Sequence, residues 1–214
     1  ITDFVAGVPI DKLIARNNSP ITRALGIPNL KQEKSTNVAG GIAVNYKMFS
    51  LTTDLYYVQI KDRIVLTGAF YDDDDIIGAD LQTLNVGAAQ FFTNAVNTTT
   101  TGVDAVASYS AAFGKSVLKI SVAGNFNDMK IDKIYTNSRL AVQENTFFGL
   151  LEQYFLLASA PSSKLSFGLN YSIANFFVDV RFTQFGDVKL INWNDNGDNL
   201  VDVGERDVYK AKMT

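Results

Sequence analysis

The chain has 214 residues, of which 19% are charged and 47% hydrophobic, with a net charge of −3 and neither cysteine nor histidine. The missing residues exclude disulfides, thiol catalysis, zinc–thiolate and histidine-ligated metal sites, and serine–histidine triads, so an enzyme would have to be built on carboxylates. A pI near 5.0 argues against a nucleic-acid partner, which needs a basic stripe. No apolar run reaches the roughly 18 residues of a membrane helix, whereas a β-barrel hides its hydrophobicity in alternation and stays open as a reading.

Along the chain, Asp11–Arg16 is patterned as a short helix. Asn18-Ser19-Pro20 is a turn and helix-start signal, and the stretch around it is expected to cap neighbouring loops. From Gly41 the pattern becomes strictly two-faced: Ile42, Val44, Tyr46 and Met48 against Gly41, Ala43, Asn45 and Lys47. Leu51–Leu66 follows, rich in β-branched and aromatic residues. Tyr71–Asp80 then brings four successive carboxylates, Asp72–Asp75, which repel one another and suit a solvated loop or a cation.

Phe91–Ala112 reads as one long strand, in which Val103, Ala105, Ala107 and Tyr109 oppose Asp104, Ser108 and Ser110. Leu118–Phe126 alternates in the same way. Phe147–Leu157 (FFGLLEQYFLL) has a short helical pattern and is very apolar for a loop, which predicts packing on a rim or on other loops. Leu165–Tyr171 and Phe176–Phe182 alternate again, and a seventh strand begins near Arg206.

Between these last strands lies "NWNDNGDNLVDVGE". Oxygen side chains at Asn194, Asn196, Asp198, Asp202 and Glu205, with Leu200 supplying a carbonyl, follow the ligand spacing of a Ca²⁺ loop. Asn replaces Asp at the first position and Asn199 stands where glycine is expected. A turn-forming loop has a similar composition. No spacing brings two carboxylates into a hydrolytic pair, so no catalytic residue is nominated.

Tight turns fall around Lys47–Ser50, Phe113–Ser116 and Ser172–Asn175, and long connections around Thr67–Gln90, Asp128–Lys164 and Gly186–Glu205. Their strict alternation is what an up-and-down antiparallel sheet with all its large loops at one end produces. Several strands reach the roughly 9–11 residues that cross a bilayer. The expected fold is therefore all-β, with about seven strands forming part of a transmembrane β-barrel. External loops are expected at 1–36, 70–88, 128–161 and 189–205, and strand regions at 37–69, 89–127, 162–188 and 206–214. A soluble secreted β-sandwich, binding glycan or another extracellular partner through one-ended loops, alternates in the same way and is the second architecture.

Four phrases sharpen the choice. "LKQEKSTNVAGG" (30–41), "YYVQIKDRI" (56–64), "NAVNTTTTGVD" (94–104) and "PSSK" (161–164) match, in order, the patterns LKxExSxNxxxG, YxxxIxDRI, NxxxxxTxGVD and PxxK. The chain resembles the distal β-barrel of TonB-dependent outer-membrane receptors. The resemblance implies a barrel of about 22 strands closed by a plug, in the outer membrane of a Gram-negative bacterium. It also implies energy from TonB, ExbB and ExbD delivered through that plug, and import of a scarce ligand such as an iron-siderophore, cobalamin or a glycan. Neither plug nor TonB box nor a closing aromatic strand occurs in the sequence, so these residues are expected to be a fragment of such a barrel. Its partners would be outer-membrane lipid and the imported ligand, with no cofactor beyond the Ca²⁺ of the 194–205 loop.

Overall fold

The structure, a computed structural model, describes residues 2–5, 8–136, 140–191 and 206–209. It begins with strands β1 (Thr2–Val5) and β2 (Val8–Ala15), helix α1 (Pro20–Ala24), and strands β3 (Lys34–Tyr46) and β4 (Phe49–Leu66). Then come β5 (Phe70–Tyr71), α2 (Gly78–Thr83), β6 (Ala88–Phe113) and β7 (Ser116–Ile134). Helices α3 (Glu144–Phe148) and α4 (Leu150–Leu157) precede β8 (Ser163–Ile173), β9 (Phe176–Phe185), β10 (Val188–Ile191) and β11 (Arg206–Tyr209).

The six long strands form one antiparallel sheet in the order β3–β4–β6–β7–β8–β9. The tight connections leave Tyr46 paired with Phe49, Phe113 with Ser116 and Ile173 with Phe176, so each is a two-residue turn. The first turn residue is left-handed in all three, at Lys47, Gly114 and Ala174. A positive φ there matches the right-handed twist of the flanking strands. All three turns stand at one end of the sheet, and every long connection stands at the other.

The register carries the alternation across the whole sheet. Tyr109 of β6 faces Phe49 and Ile120, and Ile120 faces Leu169, which faces Val180. The next row joins Leu51, Ala107, Val122, Phe167 and Phe182. One face is therefore apolar from β3 to β9, and its large side chains are exposed, Ile42 at 63% and Phe176 at 61%. The opposite face carries Asn45, Ser50, Ser108 and Ser121 in one row and Asp54, Asp104 and Asn125 in another. Among the described residues no second sheet covers the apolar face, which overturns the β-sandwich alternative: a sandwich buries that face, and this sheet leaves it bare.

Three expectations change in detail. Asp11–Arg16 is not a helix: Asp11–Ala15 lies in β2, which runs parallel to β6 with Lys12 opposite Ala88 and Ala15 opposite Phe91. Backbone pairing to a distant segment outweighs the weak local period. The long connections also hold regular structure, since β1, β2 and α1 lie within 1–36, and β7 continues past 127 to Ile134. The seventh strand begins at Arg206 but pairs with β10, Ile191 facing Arg206, as a separate two-stranded ladder.

Candidate ligand-capture site

The phrases at 30–33, 61–64 and 94–97 meet at the external rim of the sheet. Asn94 accepts the Lys31 N–H at 2.8 Å and donates to the Lys31 carbonyl at 2.9 Å and the Asp62 carbonyl at 2.6 Å. Asp62 is left-handed, with φ of 56°, where β4 bulges against β6. Asp tolerates that conformation better than most residues. Its N–H donates to Asn97 Oδ1 at 3.0 Å, and its carboxylate pairs with Lys31 at 2.7 Å. Glu33 Oε1 accepts the Ile64 N–H at 2.6 Å. Beyond the bulge, Arg63 Nη1 donates to Thr98 Oγ1 at 3.2 Å. These residues clasp the incoming chain to the bulge, beyond which β4 and β6 stay paired as far as Leu66 and Phe92.

Above the clasp the loops have a core of their own. Ile21, Leu25 and Ile27 come from the first connection, Phe70, Ile77 and Leu81 from the second, and Leu140, Phe147 and Phe148 from the third. They pack on Val65, Phe91, Ala95 and Val96 at the strand ends. Ser19 caps α1, as the sequence signals, and its Oγ lies 3.1 Å from Thr22 Oγ1. Asp74 Oδ1 accepts from the N–H groups of Ile76 and Ile77 at 2.8 and 3.1 Å, and Oδ2 from Gln143 Nε2 at 2.6 Å. The acidic run thus forms a turn that ties the second connection to the third. Among the described residues no three acidic side chains gather as a metal cage.

Helix α4 touches this core through Leu156. None of its residues is buried, and clefts flank it on two sides. The larger, about 590 Å³, opens toward the rim of β4 and β5, walled by Ile64, Leu66, Tyr71, Leu151 and Phe155, with Lys12, Gln90 and Glu152 as polar groups. The smaller, about 370 Å³, lies between Tyr154 and Leu157 and the residues Asn127 and Met129 of β7. Glu152 Oε2 accepts the Gly149 N–H at 3.0 Å, which fixes the carboxylate at the start of α4. Burial pushes the Glu152 carboxyl above its ordinary range; the N–H groups of Glu152 and Gly149 and the charge of Lys12 pull it partly back. The Gly68 N–H donates to the Phe147 carbonyl at 3.2 Å, and a Cβ on Gly68 would overlap the Thr146 carbonyl. Only glycine allows this crossing of the second and third connections.

The polar face of the sheet holds a concavity of about 420 Å³, lined by Ser108, Ser121, Ser166 and Asn170 with Lys119 and Arg181. Arg181 pairs with Asp179 at 3.1 Å, and Asn170 Nδ2 donates to the same carboxylate at 2.6 Å. Asn125 Nδ2 donates to Asp104 Oδ1 at 2.6 Å. The Tyr56 ring lies over Gly102, where a Cβ would collide with it, so the TxGVD phrase provides a seat for the tyrosine of the YxxxIxDRI phrase.

Asn194, Asn196, Asp198, Asp202 and Glu205 lie outside the described residues, as does Trp193. Of the other aromatics, Phe91, Phe147 and Phe148 are buried in the loop core, while Phe92, Phe155, Phe176 and Phe177 are exposed. Phe176 joins Tyr46, Phe49 and Phe113 near the tight turns, where a barrel places an aromatic girdle. Glu152 was not singled out in the sequence, although it is the lone charge in FFGLLEQYFLL and that isolation is the signal that marks it.

A single open sheet with one bare apolar face, one polar face and a packed loop layer at one end defines a segment of transmembrane β-barrel wall. The family model for the TonB dependent receptor-like β-barrel matches residues 3–209, and the chain belongs to that family. Among solved structures, "Copper transporter OprC" is similar at 15% identity and a TM-score of 0.45, over 86% of this chain and 22% of that chain. The chain thus spans 22% of that transporter's length. A comparison with curated proteins gives no match.

Proposed function

We propose that the chain is a portion of the barrel wall of an outer-membrane receptor that imports a scarce, large ligand with energy delivered through TonB, ExbB and ExbD. Iron-siderophores, cobalamin and glycans are the ligand classes in view. The observation that carries this reading is the apolar face kept in register across six strands, which lipid alone among common surroundings leaves unburied without cost. On this reading the polar face lines the lumen, a plug held elsewhere in the receptor receives TonB, and the loop layer meets the ligand first. The work is binding and gated passage, and no bond is made or broken.

The test uses the whole receptor that contains these residues. It should fractionate with outer membranes and support uptake that a protonophore abolishes. A receptor found in the soluble fraction, or uptake indifferent to the protonophore, would overturn the proposal. Calcium at Asn194, Asn196, Asp198, Asp202 and Glu205 is a second proposal, resting on spacing alone. It requires a thermal transition raised by Ca²⁺, lowered by EDTA and made insensitive to both by Asp198→Ala.

A further inference from the structure

We infer that the cleft between α4 and the rim of β4 and β5 is a binding site for an amphipathic small molecule with an apolar or aromatic body and one amino group, the amino group seated on Glu152. The inference rests on the reading of the loop layer as the ligand-meeting surface and adds a site and a ligand chemistry to it.

The cleft, at about 590 Å³, falls within the roughly 300–1,000 Å³ of small-molecule sites, which are mostly apolar with a few placed polar groups. Leu66, Tyr71, Leu151 and Phe155 supply the apolar walls, and Phe155 is exposed into open space at 49%. A body that covers these side chains removes apolar surface from water, and it would rest on Val65 and Phe148 of the loop core at the floor of the cleft.

Among the described residues Glu152 is the lone acid on the cleft wall. Its Oε2 is already engaged by the Gly149 N–H, and its Oε1 lies on the Gly68 side, 3.2 Å from where a Cβ on Gly68 would stand. Desolvation is the largest influence on this carboxyl, so it stands where a charge-assisted hydrogen bond is worth more than in water. Lys12 lines the same cleft and its charge already acts on Glu152, so the amino group shares the carboxylate with that ammonium. An anionic head would meet the buried carboxylate, and a hydroxyl would forgo the charge.

The test exploits the absence of cysteine from these residues. In the whole receptor, with cysteines elsewhere replaced, Ser159→Cys puts a thiol on the cleft wall, and its rate of maleimide labelling is measured with three matched probes. These are 1-naphthylmethylamine, 1-naphthalenemethanol and 1-naphthoate. The amine should protect the thiol at concentrations about ten-fold below the alcohol, as one charge-assisted hydrogen bond predicts, and the carboxylate should protect least. Adding Glu152→Gln, which keeps an acceptor for the Gly149 N–H, should bring the amine and the alcohol together. Equal protection by all three probes, no protection, or an amine preference that survives Glu152→Gln would overturn the inference. Protonophore-sensitive uptake is scored separately, so loss of the cleft and loss of the transport function are distinguishable.

Discussion

Asn94 holds Lys31 by both of its main-chain groups, accepting from the N–H at 2.8 Å and donating to the carbonyl at 2.9 Å. A side-chain amide so placed imitates a neighbouring strand and sets where β3 enters the sheet. The same amide reaches the Asp62 carbonyl, so one residue joins three segments far apart in sequence.

Asn94→Ala should therefore destabilise the rim by about 1–3 kcal/mol, the scale of several exposed or half-buried hydrogen bonds lost together. The loss should be local, with protease cleavage appearing near residues 30–36 before the barrel melts. Asn94→Asp should be no better, because a carboxylate cannot donate to the two carbonyls. A variant with unchanged proteolysis and melting would show that the clasp contributes nothing to the entry of β3.

Val122 and Ser121 are chain neighbours on opposite faces, Val122 in the row of Ala107 and Phe167, and Ser121 in the row of Ser108 and Gly168. If the apolar face meets lipid, Val122→Arg should cost about 2–4 kcal/mol of barrel stability near mid-membrane, and Ser121→Arg far less. Refolding of the whole receptor into vesicles, followed by denaturant titration, reads the difference. Equal costs, or a greater cost at Ser121, would reverse the assignment of the faces.

Phe91 is fully buried and its ring lies 6.0 Å from that of Phe70. Phe91→Ala should remove about 3–5 kcal/mol from the loop layer, the usual cost of emptying a buried aromatic site. Since the rows of Tyr109 and Ala107 contribute no residue to this core, insertion into the outer membrane should persist while ligand capture falls. Loss of both together would mean that the loop core and the barrel fold as one unit.

Glu152 titrates above its ordinary range because it is partly buried. The unfolded carboxyl loses its proton first as pH rises, so the native loop layer loses stability between the unfolded and folded values and no more above them. Glu152→Gln should flatten this slope and leave the loop layer somewhat more stable at neutral pH than the parent. Near pH 4 the two should melt alike. A parent that gains stability on going from mildly acidic to neutral pH through this group would contradict the burial that raises it.

The sequence determined the sheet. Strands such as Ser163–Ile173, and β3 from Gly41 onward, depend on a period of two that each segment carries within itself, whereas the first part of β3, from Lys34, carries no period and pairs with β4 all the same. Alternation of short and long connections showed which ends go together. The cap of α1 was legible at Ser19 for the same reason, since its bonds run to Thr22 within one turn. The four phrases pointed to the family without disclosing their purpose. Lys31, Asp62 and Asn94 have work to do only once residues more than thirty positions apart are brought together.

Tertiary structure decided what local pattern could not. Asp11–Ala15 became a strand because Ala88–Phe91 offered an edge to pair with, a partner no local window contains. It also turned the apolar residues of three loops into one core, and made Glu152 the acid of a cleft whose opposite wall comes from β4 and β5. Alternation is a property of neighbours in the chain, and so can be read there. Clasp, loop core and cleft are properties of neighbours in space, which exist only when loop closure has been balanced by burial and hydrogen bonding between distant segments.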